Sequence, residues 1–149
     1  MFSKSFSERV GAVILLRAND GACLLQLRDK KPQLRNPGIW VPPGGHAEPF
    51  EPLVDCARRE FEEETGYICR HLNLIAEFID CVNDWPPYIL SVYWAIYDNI
   101  QKISCNEGQA MEFIPRNHAT DIRVPEYLIH IWDLSLQAAA KKEWLVLNV

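Results

Sequence analysis

The chain has 149 residues, of which 48% are hydrophobic and 23% charged, and a formal net charge of −5. That length suits one compact domain, residues 1–149, with a full core, and the composition is that of an ordinary soluble globule. The net negative charge excludes a general attraction to a nucleic-acid duplex or an anionic membrane surface. No apolar stretch approaches the ~18 residues of a membrane span, and no targeting segment is visible.

From the N-terminus, residues 10–16 and 22–28 are apolar runs rich in strand formers. Asn19, Asp20 and Gly21 between them are a turn signal, so the two runs form a hairpin. A loop follows over 30–38, which holds Pro32 and Pro37. Residues 39–41 read as a short strand running into Pro42, Pro43, Gly44 and Gly45. Next comes a helix over 52–64, with Pro52 in its first turn, where a missing N–H costs nothing. Gly66 suits the left-handed residue just past its end. Strands are expected over 71–82 and 88–98, joined by a loop at 83–87, and again over 110–114. Leu128, Ile131, Trp132, Leu136 and Ala139 mark an amphipathic helix over 125–141. The apolar ending 144–149 reads as a closing strand or a partner-contact segment. Strands on both sides of one helix, with a second helix at the end, imply an α/β sandwich with a mixed sheet between helices.

Five cysteines (Cys23, Cys56, Cys69, Cys81, Cys105) are an odd number without CxxC spacing. They suggest neither zinc nor a disulfide framework and read as reduced thiols of a cytoplasmic protein.

The densest chemistry lies between Gly45 and Tyr67, GHAEPFEPLVDCARREFEEETGY. Glu60, Glu63 and Glu64 stand at i, i+3 and i+4 of the helix, so their carboxylates span about 100° of one face. Leu53, Val54, Ala57 and Phe61 fill the adjoining arc, while Asp55, Arg58 and Glu62 point to solvent. Acids near a helix C-terminus oppose the dipole. A bound divalent cation offsets that cost, and oxygen-only ligands select Mg²⁺ or Mn²⁺ over zinc. Taken alone, such a run is more often a solvated acidic face. Its spacing to Gly45, Glu51 and Arg59 reverses that reading. Two successive glycines ahead of the helix allow close backbone approach and unusual φ.

Gly45, Glu51, Arg59, Glu60, Glu63, Glu64 and Gly66, with apolar Phe61 and Tyr67, match the spacing of the Nudix hydrolase signature. The sequence resembles that family over roughly residues 10–136. At about 7% per specified position, chance agreement is on the order of 10⁻⁸. The resemblance implies a Nudix-type α/β/α sandwich and Mg²⁺-dependent hydrolysis of a phosphoanhydride in a nucleoside diphosphate linked to another group. In similar proteins Gly45 lends its carbonyl to the metal beside Glu60, Glu63 and Glu64. Arg59 pairs with Glu51 or a nearby carbonyl to shape the loop, and Glu51 is either scaffold or a minor ligand. Glu63 and Glu107 both stand as general base. Glu107 lies in a Glu107-Gly108-Gln109 run found in part of the family, where a carboxylate completes the metal site or acts as base, with Glu112 as fallback.

Arg28, ending a strand that points to the site in similar proteins, is either a phosphate contact or an ordinary surface arginine. His46 either approaches phosphate or faces solvent. Asp84, Trp85 and Tyr88 either stack on a base or pack the loop. Phe50 departs from the glycine usual at its position. A phenylalanine does not take positive φ cheaply, so the loop is expected to follow another path or to turn the ring toward substrate. Tyr67 replaces a more usual aliphatic residue.

The partner implied is a small-molecule nucleotide. A nucleoside triphosphate, ordinary or modified, comes first. Nucleotide sugars or ADP-ribose follow, then dinucleoside polyphosphates or capped RNA ends. A homodimer is implied by resemblance, with residues 144–147 as its contact. The contrasting class is a nucleotide-sensing module that does not turn its ligand over, against which the complete acidic set speaks.

Overall fold

The computed structural model describes residues 8–34, 36–82 and 85–142. The first strands, β1 (Arg9–Leu16) and β2 (Cys23–Leu27), form the expected antiparallel hairpin, with Leu16 opposite Cys23. Its turn closes locally. Asp20 Oδ1 accepts the Ala22 N–H at 3.0 Å, and Gly21 takes φ 71°, a conformation that costs glycine little.

Then follow β3 (Trp40–Val41), β4 (Gly44–His46), α1 (Leu53–Thr65), β5 (Asn73–Asp80), β6 (Tyr88–Ile96), β7 (Ala110–Ile114), a 3₁₀ turn (Arg116–Asp121) and α2 (Leu128–Lys141). The sheet runs β3-β2-β1-β6-β5, with β4 beside β1 and β7 beside β2. It is mixed, because β1 and β6 are parallel over the whole length of β1 while the other pairs are antiparallel. Since β6 occupies one edge of β1, β2 and β4 must share the other. They do so at opposite ends, β2 at Leu16 and β4 at Val10 to Ala12.

Alternation along β1 sends its side chains into two cores. Ile14 and Leu16, with Leu90, Val92 and Trp94 of β6, pack on Leu128, Ile131 and Trp132 of α2. Val13 and Leu15, with Tyr93 and Ala95, pack on Ala57 and Phe61 of α1. A strand buried on both faces reads as a near-continuous apolar run, which is what 88–95 is apart from Ser91. Gly11 lets α1 lie close on the sheet, since a Cβ there would come within 2.9 Å of the Ala57 nitrogen and the Leu53 carbonyl. The result is the α/β/α sandwich expected from the order of elements.

Four details differ from the sequence reading. Gly44 and Gly45 form part of strand β4, and neither takes positive φ; of the two properties expected of them they satisfy close approach alone. Phe50 does adopt positive φ, 63°, and its side chain is wholly exposed. The loop keeps the turn and accepts the strain. The C-terminal helix starts at Leu128, because Pro125 and its neighbours form a turn in which the Leu128 N–H reaches the Pro125 carbonyl. The 3₁₀ turn after β7 was not foreseen, being too short and polar to show a period. Asp84 and the ending 144–149 lie outside the described residues.

Tyr67 has a packing reason to be aromatic. It is buried edge-on against Phe61, with centroids 6.0 Å apart, and its hydroxyl accepts the Asp98 N–H at 3.0 Å. All five cysteines are free. Cys23, Cys56 and Cys69 are buried, and Cys81 and Cys105 are exposed. Burial pushes the Cys56 thiol up to about 11 and that of Cys69 to about 12. Among the described residues, no helix is long and apolar enough to cross a membrane.

Candidate active site

Helix α1 starts after Pro52, whose extended φ/ψ and missing N–H fit the position before the first turn. It ends at Gly66 in the left-handed conformation, φ 76°, where the Gly66 N–H reaches the Glu62 carbonyl at 2.7 Å. The last carbonyls of a helix need outside donors. Here a distant loop supplies them. The Ser104 N–H bonds Thr65 O at 2.8 Å, the Asn106 N–H bonds Glu64 O at 2.9 Å, and Asn106 Nδ2 bonds Glu63 O at 3.1 Å. This loop caps the helix, and the next residue along it is Glu107.

The entry to the helix is fixed by Arg59. Its Nε donates to Glu51 Oε2 at 2.8 Å and its Nη2 to Glu51 Oε1 at 2.9 Å, while Nη2 also reaches the His46 carbonyl at 3.1 Å. The hydrogen bond from Arg59 holds the Glu51 carboxyl far below its usual range, at about 2. Arg59 Nη1 also meets Glu60 Oε1 at 3.0 Å and Glu63 Oε1 at 3.3 Å. Glu51 and Arg59 therefore tie β4 to α1, with both the pairing and the carbonyl contact that the resemblance implied.

The acidic face is unequal. Glu64 is 5% exposed, Glu60 is half-buried, and the Glu63 side chain is 58% exposed on the Arg59 side. The lining of a cleft of about 420 Å³ includes Glu60, Glu64, Glu107, Gly45, Arg28 and His46. Val10, Leu90, Tyr88, Trp85 and Tyr127 line it too. Glu63 is not on that wall, and neither is Glu112, which is exposed on β7. Phe50 is absent from it too, so its ring does not turn toward the cleft. The His46 ring faces Glu8, with Nε2 at 3.4 Å from Oε2. Arg28 Nε is buried with no hydrogen-bond partner among the described residues.

Burial dominates the electrostatics. It raises the Glu64 carboxyl to about 8, helped by the charges of Glu107 and Glu60, while the Gly44 backbone N–H and Arg28 pull the other way. Burial also raises Glu60, with the charges of Glu63 and Glu107 adding to it. Among the described residues, no three of His, Cys, Asp and Glu converge closely enough to cage an ion unaided. The oxygen donors still suit Mg²⁺ or Mn²⁺, which keep several waters and bind through one or two carboxylates plus substrate phosphates. A cation beside Glu60 and Glu64 would also relieve the repulsion that raises them. Gly45 fits against Glu60, since a Cβ on it would clash with the Glu60 carboxyl. Its carbonyl accepts a weak bond from Cys56 Sγ at 3.3 Å.

Some participants were not foreseen. Gln26 is 3% exposed on β2 and contacts both Glu64 and the Glu107 loop. Its signal was a polar residue in a strand otherwise apolar on both faces. Tyr127 and residues 33, 34 and 36 reach the cleft from loops, where no period marks them.

A family model described as the NUDIX domain matches residues 7–129. The chain belongs to the NUDIX family. Among curated Nudix relatives, the m7GpppN-mRNA hydrolase NUDT17 of Bos taurus is 42% identical over 57 residues, covering 38% of this chain and 18% of that protein. The match thus spans about a fifth of the relative's length. Among solved Nudix structures, an Ap4A hydrolase of C. elegans in a binary complex superposes with a TM-score of 0.74 at 18% identity, covering 90% of this chain and 98% of that one. The MutT protein of Methanosarcina mazei Go1 does so with a TM-score of 0.73 at 18% identity, covering 88% and 94%. These structures share the Nudix fold.

Proposed function

We propose that this Nudix protein hydrolyses a phosphoanhydride of a nucleoside diphosphate linked to another group, with Mg²⁺ or Mn²⁺ as cofactor. The observation that carries this reading is Glu64. It is a carboxylate buried in the wall of a cleft, with two further acids on that wall and near an arginine whose buried Nε has no hydrogen-bond partner among the described residues. A fold does not bury such charge cheaply, and cation and phosphate chemistry accounts for it.

Glu60 and Glu64, with the Gly45 carbonyl and with Glu63 at the edge, would hold the metal. When bound, the metal neutralises phosphate charge and lowers the pKa of water. Arg28 takes an anionic phosphate oxygen, as its planar donors suit. Glu107, on the cleft wall, takes the proton of the attacking water. Glu63 is the second choice for base, because Arg59 engages it. His46 stands at the cleft rim near the phosphates, and Trp85 and Tyr88 offer aromatic surface to a base. The products are a nucleoside monophosphate and pyrophosphate when the substrate is a nucleoside triphosphate, ordinary or modified, which stays the first choice. The mRNA-cap and Ap4A hydrolases among its relatives keep capped ends and dinucleoside polyphosphates in view, beside nucleotide sugars and ADP-ribose. The small-molecule nucleotide is the partner, whether the protein acts alone or as a homodimer.

Release of phosphate and pyrophosphate from a panel of these nucleotides, beside Glu64→Gln, tests the reading. Tight nucleotide binding without turnover would favour the sensing module.

A further inference from the structure

We propose that Gln26 is a positioning residue that fixes Glu64 and the Glu107 loop relative to each other; this rests on the reading of the cleft as a hydrolytic site. Gln26 sits in β2, Cys-Leu-Leu-Gln-Leu, and is 3% exposed. A buried amide must be hydrogen-bonded or it costs stability. Its Nε2 donates in two directions, to Glu64 Oε2 at 3.4 Å and to the Glu107 carbonyl at 3.1 Å. One side chain therefore joins the helix and the loop that bring the two acids to the cleft.

The loop fits on that side chain by shape as well. Gly108 takes φ 82°, and a Cβ there would come within 2.6 Å of the Leu27 carbonyl and 3.0 Å of Gln26 Cγ. Just after it, the Gln109 N–H bonds Leu27 O and Gln109 Nε2 bonds Arg28 O, each at 2.8 Å. Asn106 meanwhile binds the loop to the end of α1. The loop is thus clamped between β2 and α1, with Gln26 at the point where strand, helix and loop meet.

An amide suits this place for a chemical reason. A lysine would neutralise the carboxylate that the cation needs. A glutamate would add a like charge to a group of acids already repelling one another. A hydrocarbon would leave both oxygens without this donor. Glutamine donates two hydrogen bonds and adds no charge, so Glu64 is oriented while its demand for a cation remains.

The test uses Gln26→Met, close in size and unbranched, beside wild type and Glu64→Gln. Mn²⁺ alone is titrated against each protein and followed by electron paramagnetic resonance; kcat and KM are then measured separately. The expected result is a folded Gln26→Met protein whose Mn²⁺ affinity falls about 10- to 100-fold, the usual effect of losing a partner of a ligand, with kcat lowered and KM little changed. Wild-type affinity and kcat in that variant would overturn the inference while leaving the site reading intact. Equal Mn²⁺ binding by Glu64→Gln and wild type would overturn both. If Gln26→Met folds poorly, Gln26→Asn withdraws the same amide by one methylene, and wild-type Mn²⁺ affinity in it would again overturn the role.

Discussion

Arg59 and Glu51 form a two-pronged ion pair, Nε to Oε2 at 2.8 Å and Nη2 to Oε1 at 2.9 Å, that locks the loop before α1 to the helix itself. Planar fork-to-carboxylate geometry gives orientation as well as energy. Replacing Arg59 by Lys keeps a charge but loses the fork, and is expected to destabilise the protein by about 2 kcal/mol. Chemical denaturation of the variant and wild type checks this.

The same pair has a defined pH signature. Glu51 is depressed to about 2 in the folded protein, so the stability it contributes is complete above its unfolded value of ~4.5 and is lost as pH falls toward 2. The melting-temperature gap between wild type and Glu51→Gln is expected to narrow as pH falls from about 4.5 toward 2. A gap that stays constant over that range would show that Glu51 is not held by charge.

Phe50 is strained and unburied, with φ 63° and full exposure. Left-handed backbone costs an L-residue roughly 1–2 kcal/mol, and a glycine there costs some unfolded-chain entropy. Phe50→Gly is expected to raise stability by up to about 1 kcal/mol without altering turnover. A lower melting temperature would mean that the ring makes contacts the structure does not contain.

Gly44 and Gly45 should fail in different ways. A Cβ on Gly44 meets backbone, the Gly11 carbonyl at 2.2 Å and Ala12 Cα at 2.7 Å, whereas on Gly45 it meets the Glu60 carboxyl at 2.4 Å. A side-chain end can swing away and a β-ladder cannot. Gly44→Ala is expected to lose folded protein. Gly45→Ala should stay folded and lose tenfold or more in kcat as Glu60 is displaced. Circular dichroism beside turnover separates the two.

Arg28→Ala removes from the cleft a guanidinium whose buried Nε has no hydrogen-bond partner among the described residues. Its expected effect is a fall in kcat/KM of about tenfold or more, the scale of a hydrogen bond to a charged group. Steady-state kinetics with one substrate measures it; unchanged kcat/KM would return Arg28 to an ordinary cleft-wall residue.

The acids and their helix were legible because the signature is local: Glu60, Glu63 and Glu64 share a face by helical period alone. What the period could not show was how the face divides. Burial of Glu64 and exposure of Glu63 depend on where β4 and Arg59 lie. The hairpin was readable from two apolar runs rich in strand formers and the Asn-Asp-Gly turn between them. Strand β4 was not, since three residues rich in glycine carry no strand preference and pair only because β1 offers a free edge. Gln26 escaped notice because its partners are 38 and 81 residues away. Glu107 was visible as a residue, but its approach to Glu64 arises from the loop that caps α1.

The central claim is that the buried Glu64 serves phosphoanhydride hydrolysis. Its most direct test is product release from nucleoside triphosphates, nucleotide sugars, ADP-ribose, dinucleoside polyphosphates and capped RNA in Mg²⁺ or Mn²⁺, with wild type and Glu64→Gln side by side. The account predicts turnover of one class by wild type and a loss of at least a hundredfold in a Glu64→Gln variant that remains folded. Equal rates in the two proteins would contradict it.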